Sequence, residues 1–256
     1  MISPAGILSD LALAISFCTR IPLGMLAGDK PDLARASWAM PIAGAIVGAT
    51  GALAYWAAFA LSLPPLTAAV IALAVTLLLT GCLHEDGLAD TVDGFGGGAS
   101  RERKLEIMRD SRIGTFGVCA LIVSFALRWS ALASIAAPLR VAAALIAAHV
   151  AARAILPAFM RLVPPARAGG LSARAGRPPL ESTIAAAVIG VIALGIALGP
   201  LATVWVIILL ALAAAFMAWL ATRQIGGQTG DVLGAVEQVG EVLVLLVAAS
   251  VASGHA

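Results

Sequence analysis

The sequence contains 256 residues, of which 61% are hydrophobic and only 12% charged, and its formal net charge is +2. Soluble domains are about 45–50% apolar and about 25% charged, so this composition excludes an ordinary soluble protein. It predicts one all-α domain, 1–256, folded as a polytopic transmembrane helical bundle in a lipid bilayer.

The first apolar segment, residues 5–27, is interpreted as a retained part of the protein. It lacks a basic n-region, and Arg20-Ile21-Pro22 stands where a signal-peptide cleavage site would follow. Asp10 and Arg20 interrupt its apolar face, so the segment lies along the interface, re-enters the membrane or spans it.

Long charge-free runs predict the helices that follow. The runs from Ala36 to His84 and from Ser182 to Thr222 are each long enough for two crossings. Pro64-Pro65 and Gly199-Pro200 lie near their middles, where two crossings need a turn. Three more spans are predicted at 114–137, 139–161 and 235–253, for a total of seven or eight membrane segments. The Gly44-x-x-x-Gly48 spacing is typical of close helix packing.

Basic residues predict the orientation of these helices. Connections rich in Lys and Arg alternate with connections that contain almost none. By the positive-inside rule the rich connections face the cytoplasm, so the polar half-helices and loops there should form a cytoplasm-facing site. The basic connections contain Lys30 and Arg35; Arg101, Arg103, Lys104, Arg109 and Arg112; Arg161, Arg167, Arg174 and Arg177; and Arg223.

The first polar segment, 81–94, places four carboxylates within nine residues after an apolar run. Two carboxylates about 4 Å apart repel by roughly 4 kcal/mol at an effective dielectric near 20, so the cluster requires cations. In a helix, Asp86, Asp90 and Asp93 fall within roughly 60° and can converge on one metal ion or a pair. His84 could ligate metal, orient a carboxylate or accept a proton; an interfacial structural role is the alternative.

The second polar segment, 101–114, is amphipathic and basic. On its own it is typical of a solvated helix beside the membrane that is attracted to anionic lipid. Next to an acidic cluster it has a second use, because Arg109 and Arg112 offer guanidinium groups to phosphates that bridge metal ions.

The third polar segment, 223–234, has four glycines in nine residues, which let the backbone approach a ligand closely; an ordinary turn is the alternative. Asp231 at the start of the last apolar helix and Glu241 inside it are candidate site residues, because intramembrane acids are usually functional. Since the polar segments are assigned to one face, we predict that Asp231 shares a site with Asp110.

Isolated polar residues elsewhere allow two interpretations. Arg128 and Arg153 lie in predicted spans, where each can snorkel, although Arg153 can also reach the site. His149 is alone in an apolar helix and is interpreted as structural. Arg167 lies in the loop 164–179, where attraction of phosphate and simple fixing of topology both remain open.

Taken together, these segments resemble the adenosylcobinamide-GDP ribazoletransferase family, also called cobalamin 5′-phosphate synthases. The resemblance covers nearly the whole chain. In one position the chain departs from the family, because Gln238 stands where an acid is frequent, with Glu237 beside it. The matching stretches are SFCTRIP at 16–22, PIAG at 41–44, HEDGLADTVDG at 84–94, LEIMRDSRIGTFG at 105–117 and GGQTGDVLGA at 226–235.

The resemblance implies a bacterial inner-membrane enzyme that joins α-ribazole or its 5′-phosphate to adenosylcobinamide-GDP, releases GMP and requires Mg²⁺. It implies no nucleic-acid partner and leaves a homo-oligomer open. The implied metal ligands are Asp86, Asp90, Asp93 and Asp110, and the implied catalytic set adds His84 and Asp231. The implied substrate contacts are Lys104, Arg109, Arg112, Arg153, Arg167, Gln228, Thr229 and Glu241.

Two other classes of protein remain alternatives. CDP-alcohol phosphotransferases use a D-x-x-D-G-x-x-A-R…G-x-x-x-D-x-x-x-D pattern, which Asp90-x-x-Asp93-Gly94 begins to match. Gly98 then replaces the arginine, and Glu102 and Glu106 stand in for the last two aspartates. A cation transporter with intramembrane acids would explain the apolar helices but not the Arg-rich segment beside the acids.

Overall fold

The structure of the protein, a computed structural model, describes residues 4–28 and 31–254, so Lys30 lies outside the described residues. Within these ranges the chain is all-α, and its only β-pairing is an isolated bridge between Pro165 and Gln228. The helices are α1 Pro4–Cys18, α2 Leu33–Ala36, α3 Met40–Ala60, α4 Pro65–Thr80, α5 Leu83–Gly97, α6 Arg101–Ile107, α7 Thr115–Ile135, α8 Pro138–Ala154, α9 Leu156–Leu162, α10 Leu171–Ala175, α11 Leu180–Leu198, α12 Pro200–Ile225 and α13 Gly230–Ala252.

The transmembrane bundle predicted from composition is confirmed. Among the described residues, six helical stretches are long and apolar enough to cross a membrane, and α4 with α5 forms a further broken span or re-entrant pair bent by 88°. The count is therefore six or seven rather than seven or eight. Two places account for the difference. The 15 residues of α1 rise only about 22 Å, short of the about 30 Å hydrocarbon core. The second half of the Ala36–His84 run counts as a span only if the bent pair of α4 and α5 is taken as one.

The charge in α1 attaches this short helix to the bundle. Asp10 is buried, and its carboxylate accepts hydrogen bonds from Arg35 Nη2 at 2.7 Å and from Trp38 Nε1 at 3.1 Å. A buried carboxylate persists when such donors compensate its lost hydration. Asp10 therefore joins α1 to the entry of α3.

Helix α8 lies at the centre of the bundle, with α3, α11 and α13 around it. The predicted packing role of the Gly44-x-x-x-Gly48 motif is confirmed at the α3–α8 crossing. A Cβ atom on Gly44 would lie 2.2 Å from the His149 carbonyl oxygen, and one on Gly48 would lie 2.6 Å from Ile146 Cα. Only glycine lets the two backbones come this close.

The polar segments meet at one end of the bundle. Arg101 in α6 donates hydrogen bonds to the carbonyl oxygens of Ile225 at 2.7 Å and Ala166 at 2.6 Å. The Gln228 amide donates to Pro164 O, and the Ala166 amide donates to Gln228 O, each at 2.8 Å. These contacts tie three connections together at the same end of the bundle, as their predicted location on one membrane face requires.

Candidate active site

Helix α5 carries the acidic motif and turns sharply away from the helix before it. Gly81 and Cys82 both adopt left-handed backbone conformations, with φ of 66° and 60°, at the 88° bend. For a cysteine this conformation costs roughly 1–2 kcal/mol, which the surrounding packing must offset. The bend places α5 between α7 and α13, so its side chains reach cavities on two sides.

The larger of these cavities, which we call the outer cavity, has a volume of about 540 Å³. Its wall includes Glu85, Asp86 and Asp90 from α5, and Arg109 and Asp110 from the loop after α6. Acidic residues of α5 and a basic residue of the following loop thus line one cavity that is large enough for phosphate groups. This composition suits a metal ion held by carboxylates and an arginine that binds phosphate.

Asp86 and Asp90 have the properties expected of metal ligands. Asp86 is exposed and Asp90 partly buried. Within the described residues, neither carboxylate has a hydrogen-bond or ion-pair partner, although the two lie one helical turn apart. Unpaired carboxylates at this spacing repel each other and favour a bound divalent cation. The donor set therefore fits Mg²⁺, which prefers carboxylate oxygens and water.

Asp93, predicted as a third metal ligand, is used differently. Its two carboxylate oxygens accept hydrogen bonds from the amides of Gly114 at 2.6 Å and Gly117 at 2.8 Å. A Cβ atom on either glycine would come within 2.4 Å of the carboxylate. Asp93 thereby satisfies free amides at the start of α7, where a negative charge is also favoured by the helix dipole. We therefore assign Asp93 to the α5–α7 contact, and its role as a third metal ligand stays a prediction.

Asp110 also lines the outer cavity and is paired with Arg112. The Arg112 guanidinium donates to the Asp110 carboxylate at 2.6 Å, and the Arg112 amide donates at 3.1 Å. These hydrogen bonds lower the pKa of Asp110 to about 2, so it is ionised at neutral pH. Arg112 is consequently engaged and does not line the cavity.

Of the predicted diphosphate-binding residues, Arg109 alone lines the outer cavity. Its guanidinium has no hydrogen-bond or ion-pair partner in the described part of the chain. The third member, Lys104, donates to the Gln224 side chain and links α6 to α12. The structure thus leaves one arginine free for substrate and gives the other two cations local partners.

Asp231, which the sequence predicts to share a site with Asp110, lies against the acidic helix α5 at a glycine crossing, whereas Asp110 lines the outer cavity. A Cβ atom on Gly87 would lie 2.8 Å from the Asp231 carbonyl oxygen, and one on Gly234 would lie 3.0 Å from the His84 carbonyl oxygen. α5 and α13 can approach this closely only because both residues are glycine. Asp86 and Asp231 therefore line the same second cavity, which we call the inner cavity.

Thr229 orients Asp231 rather than facing an open site. As the N-cap of α13, the Thr229 hydroxyl group accepts a hydrogen bond from the Val232 amide at 3.3 Å. The same hydroxyl group donates a hydrogen bond to Asp231 Oδ2 at 3.1 Å. Gln228 and Arg167 remain candidate substrate contacts. Each has a buried side-chain atom, Oε1 and Nη1 respectively, that finds no hydrogen-bond partner among the described residues.

A buried ion network lies beneath both cavities, and sequence reasoning missed most of it. Arg128 lies 3.1 Å from both Glu85 and Glu241, and Arg153 is paired with Glu241 at 3.2 Å and with Glu237. The predicted snorkelling of Arg128 is wrong, because its guanidinium is turned into the bundle. Arg153 and Glu241, predicted as substrate contacts, are buried and neutralise each other. The sequence does contain a signal for this network, because two arginines and two glutamates lie within predicted spans. Charged side chains inside a bilayer require partners of opposite charge.

This network also fixes His84. Arg153 Nη2 lies 3.2 Å from His84 Nδ1. Because a guanidinium can only donate, Nδ1 accepts, and a neutral His84 carries its proton on Nε2. His149, predicted as structural, pairs with Glu241 in the same network. His84 lines the inner cavity, so it can offer an N–H group there but has no free ring nitrogen to accept a proton.

Comparison with known proteins shows extensive similarity. The model of the family described as cobalamin-5-phosphate synthase matches residues 10–249. The adenosylcobinamide-GDP ribazoletransferase of Bradyrhizobium diazoefficiens is 59% identical over 254 residues, covering 98% of this chain and 96% of the relative. Enzymes of the same name from Mesorhizobium japonicum and Azorhizobium caulinodans are 51% and 48% identical, covering 96% and 94% of this chain and 95% of each relative. No solved structure matches the chain.

Proposed function

The chain belongs to the cobalamin-5-phosphate synthase family, and we propose that it transfers the adenosylcobinamide-phosphate group of adenosylcobinamide-GDP to α-ribazole or α-ribazole 5′-phosphate. The products are GMP and adenosylcobalamin or its 5′-phosphate. The observation that supports this reaction best is the outer cavity, whose wall carries the acids Asp86 and Asp90 and the cation Arg109, none of them paired within the described residues.

We propose Mg²⁺ as the cofactor, held by Asp86 and Asp90, with Asp110 on the wall of the same cavity. When bound, the ion would neutralise phosphate oxygens and, as a Lewis acid on those oxygens, would make the phosphorus more electrophilic. Arg109 binds the other diphosphate oxygens, since it lines the cavity without a hydrogen-bond or ion-pair partner among the described residues. The two acids and the arginine thereby orient the diphosphate for displacement.

Asp231 and His84 act on the ribose hydroxyl of the acceptor. A ribose hydroxyl oxygen forms the new bond to the cobinamide-linked phosphorus, and the bond from that phosphorus to the GMP oxygen breaks. Asp231, beside Asp86 in the inner cavity, accepts the hydroxyl proton, and GMP leaves with the bond's electron pair. His84 donates a hydrogen bond through Nε2, because Arg153 occupies its other ring nitrogen.

We further propose that this face of the protein is cytoplasmic and that the bundle lies in the bacterial inner membrane. The support is the positive charge of the connections that share the face, including Arg101 and Arg109. A GDP-linked substrate would then reach the site from the cytoplasm without crossing the bilayer.

Turnover by the full-length protein in lipid nanodiscs tests the reaction. With adenosylcobinamide-GDP, α-ribazole and Mg²⁺, we expect stoichiometric GMP and cobalamin, measured by chromatography and mass spectrometry, and neither product with a chelator. Asp86→Asn should abolish most turnover. The matched control Glu106→Gln removes an exposed carboxylate whose one ion-pair partner among the described residues is Arg103, and it should retain turnover. Cation flux without GMP release, or turnover of a CDP-alcohol alone, would contradict the proposal.

A further inference from the structure

Asp86 belongs to the walls of both cavities, so two ligands entering from opposite sides would meet at this residue. We propose that the inner cavity binds the benzimidazole base of the ribazole substrate, while the outer cavity receives the nucleotide diphosphate. This assignment rests on the proposed function and adds to it a binding site for the acceptor substrate.

The size of the cavities favours this division. The inner cavity has a volume of about 110 Å³, against about 540 Å³ for the outer cavity. A corrin ring linked to a nucleotide requires the larger space. A flat bicyclic base is the part of the two substrates that suits the smaller and more enclosed one.

The lining of the inner cavity matches an aromatic base. Met40, Leu156 and Met160 are buried side chains on its wall, and Phe17 and Leu33 complete the apolar surface. A benzimidazole ring inserted here would remove apolar surface from water and gain thioether–aromatic contacts from the two methionines. A diphosphate would lose its hydration at this wall without compensation.

The polar side chains of the inner cavity lie mainly on α5 and α13, where the ribose would have to be. His84 and Asp86 come from α5 and Asp231 from α13, and Ser172 of α10 adds a hydroxyl group. With the base against the methionines, the ribose hydroxyls reach the groups on α5 and α13. Asp86 then lies beside both the attacking hydroxyl and the phosphorus held in the outer cavity, which explains why one carboxylate serves both cavities.

Cavity-filling substitutions test the assignment. Met160→Trp should fill the inner cavity, whereas Leu121→Trp places the same bulk on the wall of the outer cavity. For Met160→Trp we expect KM for α-ribazole to rise by about tenfold or more, with KM for adenosylcobinamide-GDP changed by less than about twofold. Leu121→Trp should show the opposite pattern.

A second variant guards against simple misfolding. Met160→Ala enlarges the inner cavity, so it should weaken the binding of α-ribazole. The binding of a ribonucleoside with a larger tricyclic base should improve relative to that of α-ribazole. Such a change of preference would not follow from a general loss of structure. Binding of α-ribazole without turnover can be measured by its intrinsic fluorescence in the wild type and in both Met160 variants.

Several results would overturn the assignment. These are an unchanged KM for α-ribazole in Met160→Trp, equal rises for both substrates, or an unaltered base preference in Met160→Ala. A copurified lipid that fills the cavity and resists displacement by α-ribazole, detected by native mass spectrometry, would also overturn it. Failure of the proposed function looks different, because the wild type itself would then release no GMP.

Discussion

Substitution of Asp93 by Asn separates a helix-capping role from a metal-binding role. Asp93 accepts two short hydrogen bonds from the amides that begin α7, at 2.6 and 2.8 Å. Asn keeps one acceptor oxygen and turns an NH₂ group toward the second amide, so one charge-assisted bond becomes a donor–donor contact. The protein should stay folded in the membrane but lose stability.

The loss can be estimated from these contacts. A hydrogen bond to a charged group contributes about 1.5–3 kcal/mol. The charge at the start of α7 contributes about 0.3–1 kcal/mol more through the helix dipole. We therefore expect Asp93→Asn to lower the free energy of unfolding by about 2–4 kcal/mol. Asp86→Asn should not destabilise the protein without metal, because it relieves repulsion between unpaired carboxylates.

Both variants are compared with the wild type in the same nanodiscs. Thermal unfolding with a chelator reports stability, and the Mg²⁺ concentration for half-maximal turnover reports metal affinity. We expect Asp93→Asn to lower Tm and leave that concentration within about twofold of wild type, and Asp86→Asn to keep Tm and lose turnover. A wild-type Tm for Asp93→Asn, together with a tenfold higher Mg²⁺ requirement, would refute our assignment and restore Asp93 as a ligand.

The remaining predictions concern the buried network, the topology and the acceptor substrate. Arg153→Met should destabilise the protein by about 3–5 kcal/mol, because Glu237 and Glu241 both lose a cationic partner. Adding Glu241→Gln should recover part of the loss, and additive losses in unfolding titrations would argue against direct pairing. Ser100 and Ala168 are both exposed, and each can be replaced by cysteine in a protein without its native cysteines. Both new cysteines should react with an impermeant maleimide from the cytoplasmic side of vesicles. Labelling of the two from opposite sides would contradict the shared face. Arg167→Ala should raise KM for α-ribazole 5′-phosphate more than KM for α-ribazole, and equal effects would remove Arg167 from phosphate binding.

The sequence by itself determined the membrane bundle and the location of its polar chemistry. A charge-free run longer than a bilayer crossing is stable only within a membrane, where it must be helical. The helices and the turns at Pro64-Pro65 and Gly199-Pro200 can therefore be predicted from the local sequence. The spacing of Asp86 and Asp90 likewise needs only the helical period. The sequence predicts a first apolar segment over 5–27, whereas α1 ends at Cys18. Apolar composition alone does not show where the helix ends.

Tertiary structure alone decided what each charged residue does. Asp93 follows the same helical spacing as Asp86 and Asp90, but the α7 amides that it binds lie 21 and 24 residues further along the chain. Arg153 faces Glu241 across 88 residues, so their mutual neutralisation depends on which helices are neighbours. The inner cavity at Asp86 likewise lies where glycines bring α5 against α13. Local sequence specifies periodicity and hydropathy, whereas partners and cavities arise from the packing of helices distant in the chain.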